Sequence, residues 1–176
     1  LLELGDIKAQ LRIDGDEHNS SLTTFLKAAT AHLDGKNGVL GRALLTQTWK
    51  MCLPCFYKSI TIPLPPLQSI DSVKYIDVNG DEQTVNPAVY HVVTGDRGCV
   101  HLAFNNYWPD VMDQADAVRI TFTAGYGVAA DVPDELKMAV LLHVGNLYIH
   151  REATGDANDL LPLGYESFIG PYRVMG

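Results

Sequence analysis

The sequence predicts an α+β fold: helices at the N-terminal and C-terminal ends pack together, and an antiparallel β-sheet or small sandwich is inserted between them. Near both ends, apolar residues recur at three- and four-residue intervals, as on one face of a helix. In the middle they alternate with polar residues, as on a strand with one wet face. We expect a single domain over 1–176, with N-terminal helices over 1–40, a β region over 44–126, a long helix over 131–152 and a tail segment over 153–176.

The composition is that of a globular protein able to bury a core. Of 176 residues, 47% are hydrophobic and 19% are charged. The 21 acidic and 13 basic side chains give a net charge of −8, which disfavours a surface that grips nucleic acid phosphates. The longest apolar run, 138–149, is too short to cross a bilayer, and the first residues lack a signal-peptide pattern. Three cysteines without a secretory context indicate reduced thiols and cytosolic synthesis, and we expect no membrane partner.

Two helices are predicted near the N terminus. Asp6 is a suitable cap for a short helix in which Ile7 and Leu11 share a face. A second helix contains Gly35 and stops at Gly38, since glycine commonly ends helices. This helix has an apolar stripe that needs a packing partner. The stripe consists of Leu22, Phe25, Leu26, Ala29 and Leu33.

The period of the pattern changes to two after Leu45, which predicts a strand with Trp49 on one side and Lys50 on the other. A second strand turns at Asn79 and Gly80 into a third, because this residue pair favours a tight hairpin turn. The strands after the first are expected over 69–78, 82–85, 90–93, 99–103 and 118–123.

Asp131 and Pro133 open a long helix, because proline is favoured in the first helical turn. Its inner stripe is formed by Leu136, Val140, Val144 and Leu147. Further residues make this helix apolar nearly all the way round, so it is either enclosed by its own domain or covered in part by a neighbouring subunit. The candidate subunit-interface residues are Met138, Leu141, Leu142, Tyr148 and Ile149.

One cysteine pair raises the alternative of a small zinc- or ligand-binding module. Cys52 and Cys55 form a C-x-x-C motif, and Cys99 with His101 completes the donor set of a Cys₃His zinc site. Cys52 stands on a predicted strand face and no second C-x-x-C follows, which favours ordinary strand cysteines. We therefore expect no metal and no cofactor.

A second motif, GYGVAA at 125–130, matches the G-x-G-x-x-A of dinucleotide-binding folds. The strand before it alternates instead of being doubly buried, and no second parallel strand follows, so a glycine-rich turn is the better interpretation. No nucleophile elbow, Walker loop or H-E-x-x-H motif occurs, and no carboxylate pair stands out. We expect no catalytic residues and no enzyme.

Several stretches, taken in order, resemble the head-to-tail connector (adaptor) family of tailed bacteriophages, in its long form with a β insertion. The resemblance covers nearly the whole chain. It rests on 7–14 (IKAQLRID), 41–49 (GRALLTQTW), 65–70 (PPLQSI), 122–127 (FTAGYG), 132–137 (VPDELK) and 171–173 (PYR).

The resemblance implies a structural virion protein made in the host bacterial cytoplasm. Identical subunits, a dodecamer, would form a ring on the portal protein, extend the DNA channel and carry a downstream neck, stopper or tail-completion protein. DNA would pass through the lumen without sequence-specific binding. The family's C-terminal segment reaches the portal, so the candidate portal-docking residues are Phe168, Ile169, Tyr172 and Val174.

Overall fold

The computed structural model describes residues 1–150 and 163–174. It confirms the α+β prediction, with helices towards both ends and strands between them. The chain divides into a helical unit, Leu1–Leu45 with Gly127–Gly176, and a β unit, Thr46–Tyr126. Parts of the predicted long helix and tail, 151–162 and 175–176, lie outside the described residues.

The helical unit is built from helices of both chain ends. The described helices are α1 (Leu4–Leu11), α2 (Asn19–Leu33), α3 (Asp134–Ile149) and α4 (Leu163–Ile169). Helix α3 packs against α2 and α4, and α1 contacts both α2 and α3. Burial of these apolar faces removes large side chains from water, which is the main favourable term for such a unit. The largest fully buried side chains of the helical unit are Tyr165, Ile7, Leu22, Leu33, Leu40, Leu44, Leu136 and Ile169.

The predicted ends of the first two helices are wrong by a few residues. Helix α1 begins at Leu4, and Asp6 lies in its first turn, where its carboxylate accepts a hydrogen bond from the Glu3 backbone N at 2.8 Å. Helix α2 ends at Leu33, so Gly35 lies beyond the helix, with a φ of 77°. The helix stops early because the next residue, Asp34, is extended and its carboxylate accepts from the Leu44 backbone N at 2.8 Å.

The β unit contains two antiparallel sheets. The strands are β1 (Gln47–Leu53), β2 (Ser59–Thr61), β3 (Leu67–Ile76), β4 (Glu82–Thr84), β5 (Tyr90–Val93), β6 (Cys99–Leu102) and β7 (Val118–Ala124). One sheet has the order β1-β7-β3-β4 and the other β2-β6-β5. Strand β2 is too short for its period to be recognised in the sequence.

The alternation that predicted the strands matches their burial. On β7, Val118, Ile120 and Phe122 are buried while the residues between them are partly exposed. The hairpin between β3 and β4 is confirmed: the Asp77 carboxylate accepts from the backbone N of Asn79 at 2.9 Å and of Asp81 at 3.0 Å. Side-chain acceptance of this kind stabilises a tight turn. No helix within the described ranges is long and apolar enough to cross a membrane.

Candidate assembly surfaces

The apolar residues of α3 divide into two groups. Met138, Leu142 and Ile149 share one face, since they are four and seven residues apart. Met138 is 37% exposed and Ile149 71% exposed, whereas Leu142 is half-buried. We call this face the α3 stripe.

The other predicted interface residues of α3 are covered, at least in part, within the unit. Leu141 and Tyr148 are half-buried, and the Tyr148 ring meets His18 edge-on with 5.6 Å between ring centroids. The all-round apolar surface of α3 therefore has two causes. One part packs inside the unit, and the α3 stripe is left open.

The C-terminal residues form hydrogen bonds with the loop after α2. Arg42, only 6% exposed, donates from Nε to the Tyr172 carbonyl oxygen at 2.6 Å. Its guanidinium carbon lies 5.8 Å from the Tyr172 ring centroid, within reach of a cation–π interaction. The backbone N of Val174 donates to the Leu40 carbonyl oxygen at 2.9 Å. The tail thus has an anchor inside its own unit, which its sequence did not reveal.

The four candidate docking residues differ in how much surface they offer. Ile169 is fully buried, because α4 turns this side chain and Tyr165 toward the core. Phe168 and Tyr172 are half-buried, and Val174 is 43% exposed. In the folded unit, a partner can contact Phe168, Tyr172 and Val174 but not Ile169.

Aromatic side chains surround His143 in the middle of α3. Its ring meets His32 of α2 at 4.9 Å and Tyr165 of α4 at 5.7 Å between centroids, both edge-on. Two causes lower the pKa of His143: its burial, which is the larger, and the nearby His32. Burial, with a smaller effect from the charge of Glu166, raises the pKa of Tyr165 to about 12. Among the described residues, the buried His143 Nδ1 and Tyr165 hydroxyl have no hydrogen-bond partner.

The four zinc candidates do not assemble into a site. Cys52 is exposed on β1, whereas Cys99 and His101 lie on β6 of the other sheet, with 3.1 Å between Sγ and Nε2. Cys55 is engaged with Tyr57, and their hydrogen bond raises the pKa of Tyr57. Across residues 1–150 and 163–174, no three side chains of metal-binding type are grouped so that they could hold an ion. A Cys₃His centre would require all four donors around one ion.

The glycine-rich motif forms a turn that is occupied by its own chain. Gly127 has a φ of 131°, and a Cβ atom there would overlap the Asp131 carboxylate. The same carboxylate accepts from the Val128 backbone N at 2.9 Å. A phosphate would need such backbone N–H groups free. The turn therefore does not have the geometry of a dinucleotide site.

The structure also reveals two apolar features that periodicity does not indicate. The helical unit has an open cavity of about 300 Å³ whose lining includes Leu1, Leu2 and Leu26. The β unit has two highly exposed aromatic side chains after β6, Phe104 in a turn and Tyr107 beyond it, 89% and 87% exposed. Neither aromatic residue lies in a periodic stretch, so its exposure could not be predicted from the sequence.

Three solved structures share this architecture. A chain in the neck of an empty GTA particle, computed with C6 symmetry, has a TM-score of 0.79 and 22% identity over 99% of this chain and 90% of that one. A chain in the virion of a native gene transfer agent (GTA) particle has a TM-score of 0.79 and 23% identity over 99% of this chain and 90% of its own length. The chain has the fold of these particle chains.

The same fold occurs in a neck computed with twelvefold symmetry. That chain, from the neck of a native GTA particle computed with C12 symmetry, has a TM-score of 0.73 and 23% identity over 100% of this chain and 93% of that one. No protein-family model matches the sequence, and no curated protein matches it. The similarity to neck chains is therefore seen in the structure, and the match includes both the helical unit and the β unit.

Proposed function

We propose that this protein is a structural neck subunit of a tailed-phage-like particle, a connector that forms a ring of identical copies on the portal. The observation that carries the proposal is the full-length similarity to chains in GTA necks and virions. The connector-like stretches of the sequence support it independently. Twelve copies fit the C12 symmetry used for one of these necks.

In this role the ring extends the DNA channel and offers a platform to the next neck or tail-completion protein. Phe168, Tyr172 and Val174 form the surface that contacts the portal, while buried Arg42 holds the segment in place. The net charge of −8 supports a channel along which DNA slides without sticking, since like charges repel. The protein acts by assembly and not by catalysis.

Two exposed carboxylates with lowered pKa values owe these shifts to ion pairs. Arg119 lowers the pKa of Asp116 through a hydrogen bond at 2.7 Å, and Lys74, followed by Arg119, lowers the pKa of Glu82. These are surface ion pairs: Lys74 and Glu82 lie on the neighbouring strands β3 and β4, whereas Arg119 reaches Glu82 from β7 and Asp116 lies three residues before Arg119. Such pairs perturb a pKa without forming a catalytic site.

Deletion of the gene from the genome that encodes the particle tests this function. We expect DNA-filled heads and separate tails, because the ring that joins them is missing, and we expect a plasmid copy of the gene to restore joined particles. Electron microscopy of the lysate distinguishes these states. Normal joined particles after deletion would contradict the proposal.

A further inference from the structure

The cavity of the helical unit lies on the flank of α2 that faces away from α3. Lys27 and Ala31 of α2, four residues apart, line the cavity, and so does Asp34, the residue that follows the helix. On the opposite flank, His32 contacts His143 of α3. The cavity and the α3 stripe are therefore separate surfaces of the same unit.

The cavity suits an apolar side chain. Leu1, Leu2, Leu26, Ala31 and Leu45 supply its apolar lining. Its volume of about 300 Å³ is at the lower end of the range for small-molecule pockets. Of its polar residues, Asp34 already uses its carboxylate to accept from Leu44. Lys27 and Thr30 are the other polar residues of the lining, so five of the eight lining residues are apolar.

The α3 stripe provides a matching projection. Ile149, at the end of the helix, is 71% exposed, and Met138 and Leu142 continue the apolar face behind it. A contiguous apolar face on a helix is a candidate contact site, whereas a single exposed apolar side chain is not. In a ring related by rotation, each copy joins two different surfaces, one to each neighbour. A cavity and a projection on separate flanks meet that requirement.

We propose that the α2 cavity of each copy receives Ile149 from the α3 stripe of the next copy. This inference rests on the proposed ring. The contact is head-to-tail, so it repeats from copy to copy until the ring closes.

Disulfide trapping inside assembled particles tests the contact. Cys52, Cys55 and Cys99 are first changed to serine, and Ala31→Cys and Ile149→Cys are then introduced together and separately. We expect the double variant to give a ladder of linked multimers under oxidising conditions and each single variant to stay monomeric. Dimers from Ile149→Cys alone, or no linkage in joined particles that carry the double variant, would overturn the proposal.

Filling the cavity gives an independent test with a matched control. Ala31→Trp places a large side chain at the cavity, whereas Ala28→Trp adds the same group at another exposed position of α2 that does not line it. We expect Ala31→Trp to weaken association about thirtyfold or more, as for loss of a central interface contact, with a matching fall in joined particles. Equal yields from the two variants would overturn the proposed contact.

The two proposals fail in different ways. If the neck function is wrong, deletion of the gene leaves joined particles. If only the contact is wrong, deletion separates heads from tails, but neither trapping nor Ala31→Trp has the expected effect. Ile149→Asp should also block joining, whereas Val128→Asp, at a position 66% exposed outside the α3 stripe, should not.

Discussion

Arg42 connects the C-terminal segment to the loop after α2. Its Nε donates to the Tyr172 carbonyl oxygen, and its side chain is buried. Arg42→Met keeps the apolar stem but removes this charged donor. We expect the free energy of unfolding to fall by about 2 kcal/mol, as for hydrogen bonds to charged groups. Urea denaturation measures the loss, and hydrogen exchange should show less protection at Val174.

Arg173→Met is the matched control for that change. Arg173 lies in the same segment, but its ion pair with Glu166, at 3.2 Å, is exposed. Exposed pairs contribute about 0–1 kcal/mol. A larger loss for Arg173→Met than for Arg42→Met would contradict the role given to Arg42.

His143 makes the helical unit sensitive to acid. Because its pKa is lowered on folding, the unfolded chain binds more protons once the pH falls below about 6.5. The contribution of neutral His143 to the free energy of unfolding is therefore fully present above that pH and is lost as the pH falls below it. His143→Phe keeps an aromatic ring beside His32 and Tyr165 and removes the unpartnered Nδ1. We expect the variant to be more stable than the parent by a margin that is larger at pH 5.5 than at pH 7.5, measured by thermal denaturation. An equal margin at both values would contradict this account.

Two glycines differ in the space that surrounds them: a Cβ atom can be added at Gly5 of α1 but not at Gly38. Nothing lies within 4 Å of a Cβ atom added at Gly5 in α1, whereas one added at Gly38 would overlap the carbonyl oxygens of Leu33 and Asp34. We expect Gly5→Ala to raise the free energy of unfolding by about 0.5 kcal/mol. Gly38→Ala should lower it by about 1–3 kcal/mol, because the overlap is with backbone. Urea denaturation of both variants is the check, and a change of the same sign in both would contradict it.

The C-terminal segment offers a test of portal docking. Val174 has an exposed side chain, while its backbone N is held by Leu40. Val174→Asp should leave the fold intact and reduce attachment of the protein to portal-bearing heads about tenfold or more, since it places a charge in an apolar contact. Val78→Asp, at an exposed position of the β unit, is the control. Co-sedimentation with heads measures attachment, and equal attachment of both variants would argue against docking through this segment.

Most helices and strands could be predicted from the sequence because their periods are long and regular. The alternation along β7 and the turn at Asn79 and Gly80 were sufficient signals. The end of α2 was not predictable, since it depends on the bond between Asp34 and Leu44, a contact with the segment that follows. Ile169 was placed at the surface for a similar reason. Its burial follows from the packing of α4 on α3, which the tail sequence alone does not encode.

At the scale of the whole molecule, the chain combines a helical unit that uses both ends of the sequence with a continuous β insertion. Both units are included in the structural match to the neck chains. The candidate assembly surfaces were only partly predictable. Apolar excess marked α3, but the cavity beside α2 requires Leu1, Leu26 and Leu45 to meet in three dimensions. The periodicity of the sequence does not show that residues so far apart in the chain line one cavity.

Cryo-electron microscopy of particles that carry a tagged copy of this chain shows whether the protein is a neck subunit. The tag is inserted in the turn at Gly80, which is exposed and where nothing lies within 4 Å of an added Cβ atom. We expect added density in the neck, repeated twelve times around the particle axis between head and tail. Tag density on the head shell or along the tail, or no tagged chain in the particle, would contradict it.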